Sequence, residues 1–299
     1  MKSAGFALIL TSILWGTTGT AASFFSADVS PLAIGACTMA IGGLLLFAVS
    51  ARTAIMAIRD RAALPWLLLG AVGVFVYPLA FYSAMDLAGV AIGNVVALGS
   101  GPVFAAAFEW LWERHPVTRR AALSIVVAIV GVVVLGIFGH RDAAGSSSGN
   151  VPLGVALGLL AGCAYALYTY SSTRAIGLGH RGSAVMGSTF GLGGIALVPV
   201  LIVAGAPLLG SGQNIAIAGY LALGPMFLAY VLFGRALGSL RSSTVTTITL
   251  LEPVVATVLA IVVVGERLSP AGWVGIALIL AAIGALVTAR PAEKIHGRP

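Results

Sequence analysis

Ten apolar runs, each close to twenty residues long, are separated by short polar gaps along the whole chain. The runs fall near 4–24, 31–51, 64–84, 88–111, 120–138, 153–174, 183–205, 215–236, 242–264 and 270–288. Crossing a hydrocarbon layer of about 30 Å takes roughly 20 residues of helix, and a helix satisfies its own backbone polar groups there. The pattern therefore predicts an all-α integral membrane protein with ten transmembrane helices. It leaves no room for a soluble domain.

Composition strengthens this reading. Hydrophobic residues make up 59% of the 299 positions and charged residues only 8%, with a mean hydropathy of +1.07. A soluble domain carries about a quarter of its residues as charges. The two cysteines, Cys37 and Cys163, fall inside spans and read as small buried residues, not as a disulfide framework. Lys2, the following apolar stretch and Thr20-Ala21-Ala22-Ser23 resemble a secretory signal peptide. Trp15 and the polar stretch Gly16-Thr17-Thr18-Gly19-Thr20 favour a packed, retained helix instead.

The net charge of +7 changes meaning once the basic residues are placed. All but Arg141 and Arg267 lie at the two termini or in the even-numbered gaps. The positive-inside rule then places both termini in the cytoplasm, as expected of a multi-pass protein in a bacterial-type inner membrane. Basic residues spread over six places in this way are a topology signal, so nucleic-acid binding is excluded.

The chain also repeats itself. Gly101-Pro102-Val103 through Glu113-Arg114 is echoed by Glu252-Pro253-Val254 through Glu266-Arg267, with two extra residues in the second copy. Beyond them the same offset matches Gly131 with Gly284. The expected organisation is a first five-helix repeat over 1–143, a Gly/Ser linker over 144–150 and a second repeat over 151–299. An odd number of spans per copy forces the second to insert upside down. Inverted repeats of this kind build secondary transporters, whose substrate site lies near the midplane between the halves.

The runs Pro102…Glu113-Arg114 and Leu251-Glu252-Pro253…Gly265-Glu266-Arg267-Leu268 resemble the two copies of the EamA module of the drug/metabolite transporter superfamily. The resemblance covers essentially the whole chain. It departs in the first copy, where the module's Leu-Gly-Glu reads Leu111-Trp112-Glu113. It implies ten helices with both termini inside, and a central cavity lined by helices one, three, four, six, eight and nine. Within the superfamily the chain looks most like the bacterial aromatic amino acid exporters.

Charge inside a membrane is costly, so each deep ionisable residue is a functional candidate. Glu252 is the deep one; Glu109, Asp86 and Arg235 sit at span ends. Glu252 has three readings: a proton-coupling site, a partner for a substrate amine, or a structural acceptor where Pro253 interrupts the helix ladder. Trp15, Tyr77, Tyr165, Tyr168 and Tyr230 lie well inside their spans, with Tyr82 nearer an end and Asn94 a deep amide. Polar tips in hydrocarbon need partners, so these side chains are expected to line a wet cavity or bond across helices. Together the eight form the candidate substrate-binding set.

Such a cavity suits an aromatic or amphipathic solute of low net charge, such as a neutral amino acid. It does not suit sugar phosphates, because no span carries Arg or Lys in its middle. The small multidrug exporters of the same superfamily carry an acid in the first helix, and here that helix has none, which weakens a proton-for-cation antiport reading. A proton-coupled multidrug or broad metabolite exporter stays as the alternative. An intramembrane enzyme is a remote alternative. All four histidines lie outside the spans, and Gly145 to Gly149 matches Gly-x-Ser-x-Gly without the strand and helix a nucleophile elbow needs. The expectation is a non-enzymatic exporter, active as a monomer in the lipid bilayer on a small-molecule substrate, with no cofactor.

Overall fold

The computed structural model describes residues 2–113, 150–237 and 251–288, together with scattered positions between 119 and 134. The fifth expected span (120–138), the 144–150 linker apart from Asn150, the start of the ninth span (242–250) and the tail from 289 lie largely outside the described residues. What is described is helical, with no strand among these elements. The helices are α1 (Lys2–Gly16), α2 (Thr18–Ala22), α3 (Pro31–Arg59), α4 (Leu64–Ala88), α5 (Val90–Glu113), α6 (Val151–Gly177), α7 (Gly182–Ala204), α8 (Gly212–Leu221), α9 (Ala229–Leu237), α10 (Leu251–Leu259) and α11 (Pro270–Thr288). Seven stretches among the described residues are long and apolar enough to cross a membrane; Val254–Val264 and Pro270–Ala282 are shorter apolar helices.

Local chemistry sets the helix ends. The Ser30 and Asn150 side chains accept from the N–H groups of Ala33 and Leu153, each with proline in the first turn. Ser269 caps Gly272 in the same way ahead of Pro270. The first span departs from its expected continuity. It breaks at Thr17, where the Thr17 and Thr18 hydroxyls donate back to the Leu14 and Trp15 carbonyls and compete with the backbone ladder. The eighth span widens into a π-helical stretch over Ala222–Leu228, because Pro225 has no N–H to give the ladder.

Polar contacts sort the gaps into two ends. At one end Asp60, between α3 and α4, bonds to His180, between α6 and α7, at 2.8 Å. That bond and the Ala62 N–H hold the Asp60 carboxyl below its ordinary range. Arg174 also stacks on Trp66 near this end, 5.2 Å from the ring centre. At the other end the Asn214 amide bonds Ser26, and the Gln213 amide donates to the Phe24 carbonyl. Gaps two and six therefore meet at a basic end, while gaps one and seven meet at the opposite end.

The halves interlock reciprocally. The α3 and α7 helices pack face to face; α4 and α5 pack on α6, while α9 and α10 pack on α1. The first helix of each half thus lies against the third and fourth of the other, as a pseudo-two-fold arrangement requires. Missing side chains permit the close approach. A Cβ on Gly43 would stand 2.4 Å from the Phe190 carbonyl oxygen. We expect Gly43→Ala to push α3 off α7 and cost about 1–3 kcal/mol, read as a lower melting temperature in detergent.

Candidate functional site

Helix kinks and aromatic rings together build one central cavity. Its volume is about 60 Å³, and its lining includes Trp15, Tyr77, Tyr82, Tyr165, Tyr230 and Glu252. Six of the eight candidate residues thus meet in one space, contributed by both halves of the chain. The remaining lining is Thr18, Thr38, Met39, Pro78, Phe81, Leu98, Pro225 and Met226. No Arg, Lys or His is among these residues.

The wall is a chain of rings. Trp15 lies 5.1 Å from Tyr230 between ring centres, and Tyr230 lies 4.8 Å from Phe190. On the other side Tyr77 stacks on Phe81 at 5.2 Å and meets Tyr165 at 6.0 Å. Offset and edge contacts of this kind add about 0.5–1.5 kcal/mol each beyond area burial. The wider turn at Pro225 offers its carbonyl to the Trp15 indole N–H, 2.9 Å away, which fixes the indole plane. Proline therefore shapes this wall twice, through Pro78 within α4 and Pro225 in the π-helical stretch.

Glu252 faces this cavity half-buried and makes no hydrogen bond or ion pair with another described residue. Its counterpart in the first repeat is Gly101, and a Cβ there would lie 2.9 Å from the Tyr165 ring. The Tyr165 ring thus occupies the space that a first-copy side chain would need. This makes the cavity chemically one-sided, with its carboxylate contributed by the second repeat alone.

Two candidates sit elsewhere. Tyr168 is 4% exposed and stands behind the wall, its hydroxyl 3.0 Å from that of Tyr230. Asn94 is fully buried, one turn before Leu98, with neither amide atom bonded, and is not among the lining residues. Of the lining residues not singled out in the sequence, Phe81 carried a signal, being one helical turn beyond Tyr77. Thr18 and Thr38 carried a weaker one, as hydroxyls within apolar runs.

At the end opposite the basic gaps lies a second, larger space of about 410 Å³. Ser23, Ser26, Tyr82, Met85, Asp86 and Glu266 are among its lining residues. Here Glu266 of the second repeat reaches the first turn of α5. One carboxylate oxygen accepts from the Val90 N–H and the other from the Ala91 N–H, the latter at 3.0 Å. Gly89, at φ +88°, turns the chain so that both N–H groups face it.

Among the described residues no group of His, Cys, Asp and Glu is arranged to hold a metal ion. The arrangement offers apolar surface, ring faces, hydroxyls and one carboxylate to a solute.

Comparison with known proteins agrees with this architecture. The model of the EamA-like transporter family matches twice, over residues 2–137 and 152–288. The chain is 29% identical over 290 residues to Uncharacterized transporter YwfM of Bacillus subtilis (strain 168), covering 96% of this chain and 94% of that one. It is 28% identical over 205 residues to an Uncharacterized transporter of Clostridium kluyveri, spanning 65% of this chain and 62% of that one. A protein solved by crystallography shares the fold with a TM-score of 0.63 at 21% identity, over 95% of this chain and 96% of the other. Two matched copies, relatives named as transporters and a helical membrane fold lead to one conclusion: the chain belongs to the EamA-like transporter family.

Proposed function

We propose that the protein exports amino acids, aromatic and other largely neutral ones, by alternating access through the central cavity. The observation that carries this reading is the cavity wall. Aromatic rings from both halves surround a space in which, among the described residues, Glu252 is the one carboxylate and no basic residue lines the wall. Ring faces accept an aromatic side chain, and a carboxylate beside them favours the ammonium group. The cavity is well below the roughly 300–1,000 Å³ of ligand pockets, so this conformation is contracted and must widen to admit a substrate. The two repeats rock about it. The basic end faces the cytoplasm of an inner-membrane protein, and a single chain encloses the route.

A second reading draws on Glu252 itself. A carboxylate on the cavity wall with no counter-charge among the described lining residues also suits proton-coupled export of cationic or mixed metabolites. Counterflow separates the two. Protein reconstituted in liposomes loaded with unlabelled phenylalanine, with no ion gradient, is expected to accumulate labelled phenylalanine saturably. Tryptophan, tyrosine or methionine inside should elicit the same uptake. Absence of counterflow from an intact preparation would remove the amino acid assignment and favour the proton-coupled exporter.

A further inference from the structure

Among the described residues, the central cavity and the larger vestibule share a single lining residue, Tyr82. Its ring is 5% exposed and meets Phe81 edge-on at 5.5 Å between centres. Both residues belong to the same turn of α4, and that turn faces both spaces. Phe81 and Tyr82 line the cavity; Tyr82, Met85 and Asp86 line the vestibule. We propose that the Tyr82 side chain is the gate between the two spaces, a positioning residue that decides access and not primarily a binding residue. This rests on the central cavity being the transport site.

The backbone around Tyr82 is built to move it. Pro78 lies inside α4, one turn before Tyr82, and removes the N–H that would have bonded the Val74 carbonyl. A helix bends at such a point. The neighbouring helix leaves room for the bend, because a Cβ on Gly35 of α3 would stand 2.6 Å from the Pro78 carbonyl oxygen. The half of α4 beyond Pro78 carries Phe81, Tyr82, Met85 and Asp86 as one unit. A small pivot there withdraws the Tyr82 ring and joins cavity to vestibule. Glu266 meanwhile holds the adjoining start of α5, so motion is channelled to α4 while the far wall stays in place.

The test reads access and needs no substrate. In protein with Cys37 and Cys163 replaced by alanine, Leu98→Cys places a thiol on the cavity wall and Asp86→Cys places one in the vestibule. The protein is held in lipid nanodiscs, so that a charged, membrane-impermeant thiol reagent reaches both faces. With Tyr82 intact, Asp86→Cys is expected to react quickly and Leu98→Cys slowly. A gate open about 0.1–10% of the time predicts that Tyr82→Ala speeds Leu98→Cys labelling about tenfold or more. Tyr82→Phe keeps the ring and should leave the rate within about twofold, while Asp86→Cys labelling stays fast throughout. Equal Leu98→Cys rates with Tyr82 and Tyr82→Ala would overturn the proposal, as would an open cavity in Tyr82→Phe. If Tyr82→Ala does not stay folded, Tyr82→Leu carries the same comparison. Failed counterflow with gated labelling removes the substrate assignment alone; ungated labelling with intact counterflow removes the gate alone.

Discussion

Exchanging Glu252 for glutamine should yield a protein that is more stable without substrate and transports poorly. The carboxylate lies on the cavity wall half-buried with no partner among the described residues. A charge held partly out of water with no counter-charge among the described lining residues destabilises the folded state, so an uncharged isostere should raise the melting temperature. Function moves the other way. Removing one side of a desolvated charge pair costs about 2–5 kcal/mol of affinity, which is about thirtyfold or more. Phenylalanine counterflow at subsaturating concentration should fall by that factor. The paired measurement separates the three readings of this residue. Stability up with counterflow down identifies the amine partner. Stability and counterflow falling together would identify a structural acceptor, and unchanged counterflow with loss of proton-driven transport would identify a coupling site.

Truncating Glu266 should cost more than any other single change at the vestibule. Its two carboxylate oxygens accept from the first N–H groups of α5, where the helix dipole favours negative charge. Hydrogen bonds to a charged group contribute about 1.5–3 kcal/mol each, and exposure to the vestibule lowers the sum, so Glu266→Ala should cost about 3 kcal/mol. Glu266→Gln keeps an acceptor without the charge and should restore about half. Thermal unfolding of the three proteins in one detergent checks the order. A melting temperature for Glu266→Ala equal to that of the parent would mean that water replaces the carboxylate at no cost. The first repeat would then be held to this loop by apolar packing alone.

Neither side chain had its tertiary role written beside it in the sequence. Glu252 announces itself by depth, as a carboxylate in the middle of an apolar run. Glu266 is visible only as the echo of Glu113, and nothing near it names Val90 or Ala91 as its partners. The aromatic candidates show the same division. Their depth in the spans is readable, and six of the eight candidates do converge. Yet Tyr168 stands behind Tyr230, Asn94 is buried away from the lining, and Tyr82 borders two spaces at once.

Membrane solvent, helical class, the positions of the spans that the structure describes, the alternation of basic and non-basic gaps and the duplication were all legible in the sequence alone. Each rests on local properties: the length of an apolar run, the need to satisfy backbone groups within it, and the charge of the segment that follows. The tertiary structure decided which face of each helix looks inward. A helix in lipid is apolar all round, so no stripe of polarity distinguishes cavity side from lipid side. That choice falls instead to close approach at positions such as Gly43 and Gly35, to the proline-widened turn at Pro225, and to the reciprocal packing of the two halves. Only the folded chain places the Tyr82 ring between cavity and vestibule, because the two spaces are bounded by residues up to 253 positions apart, from Trp15 to Leu268.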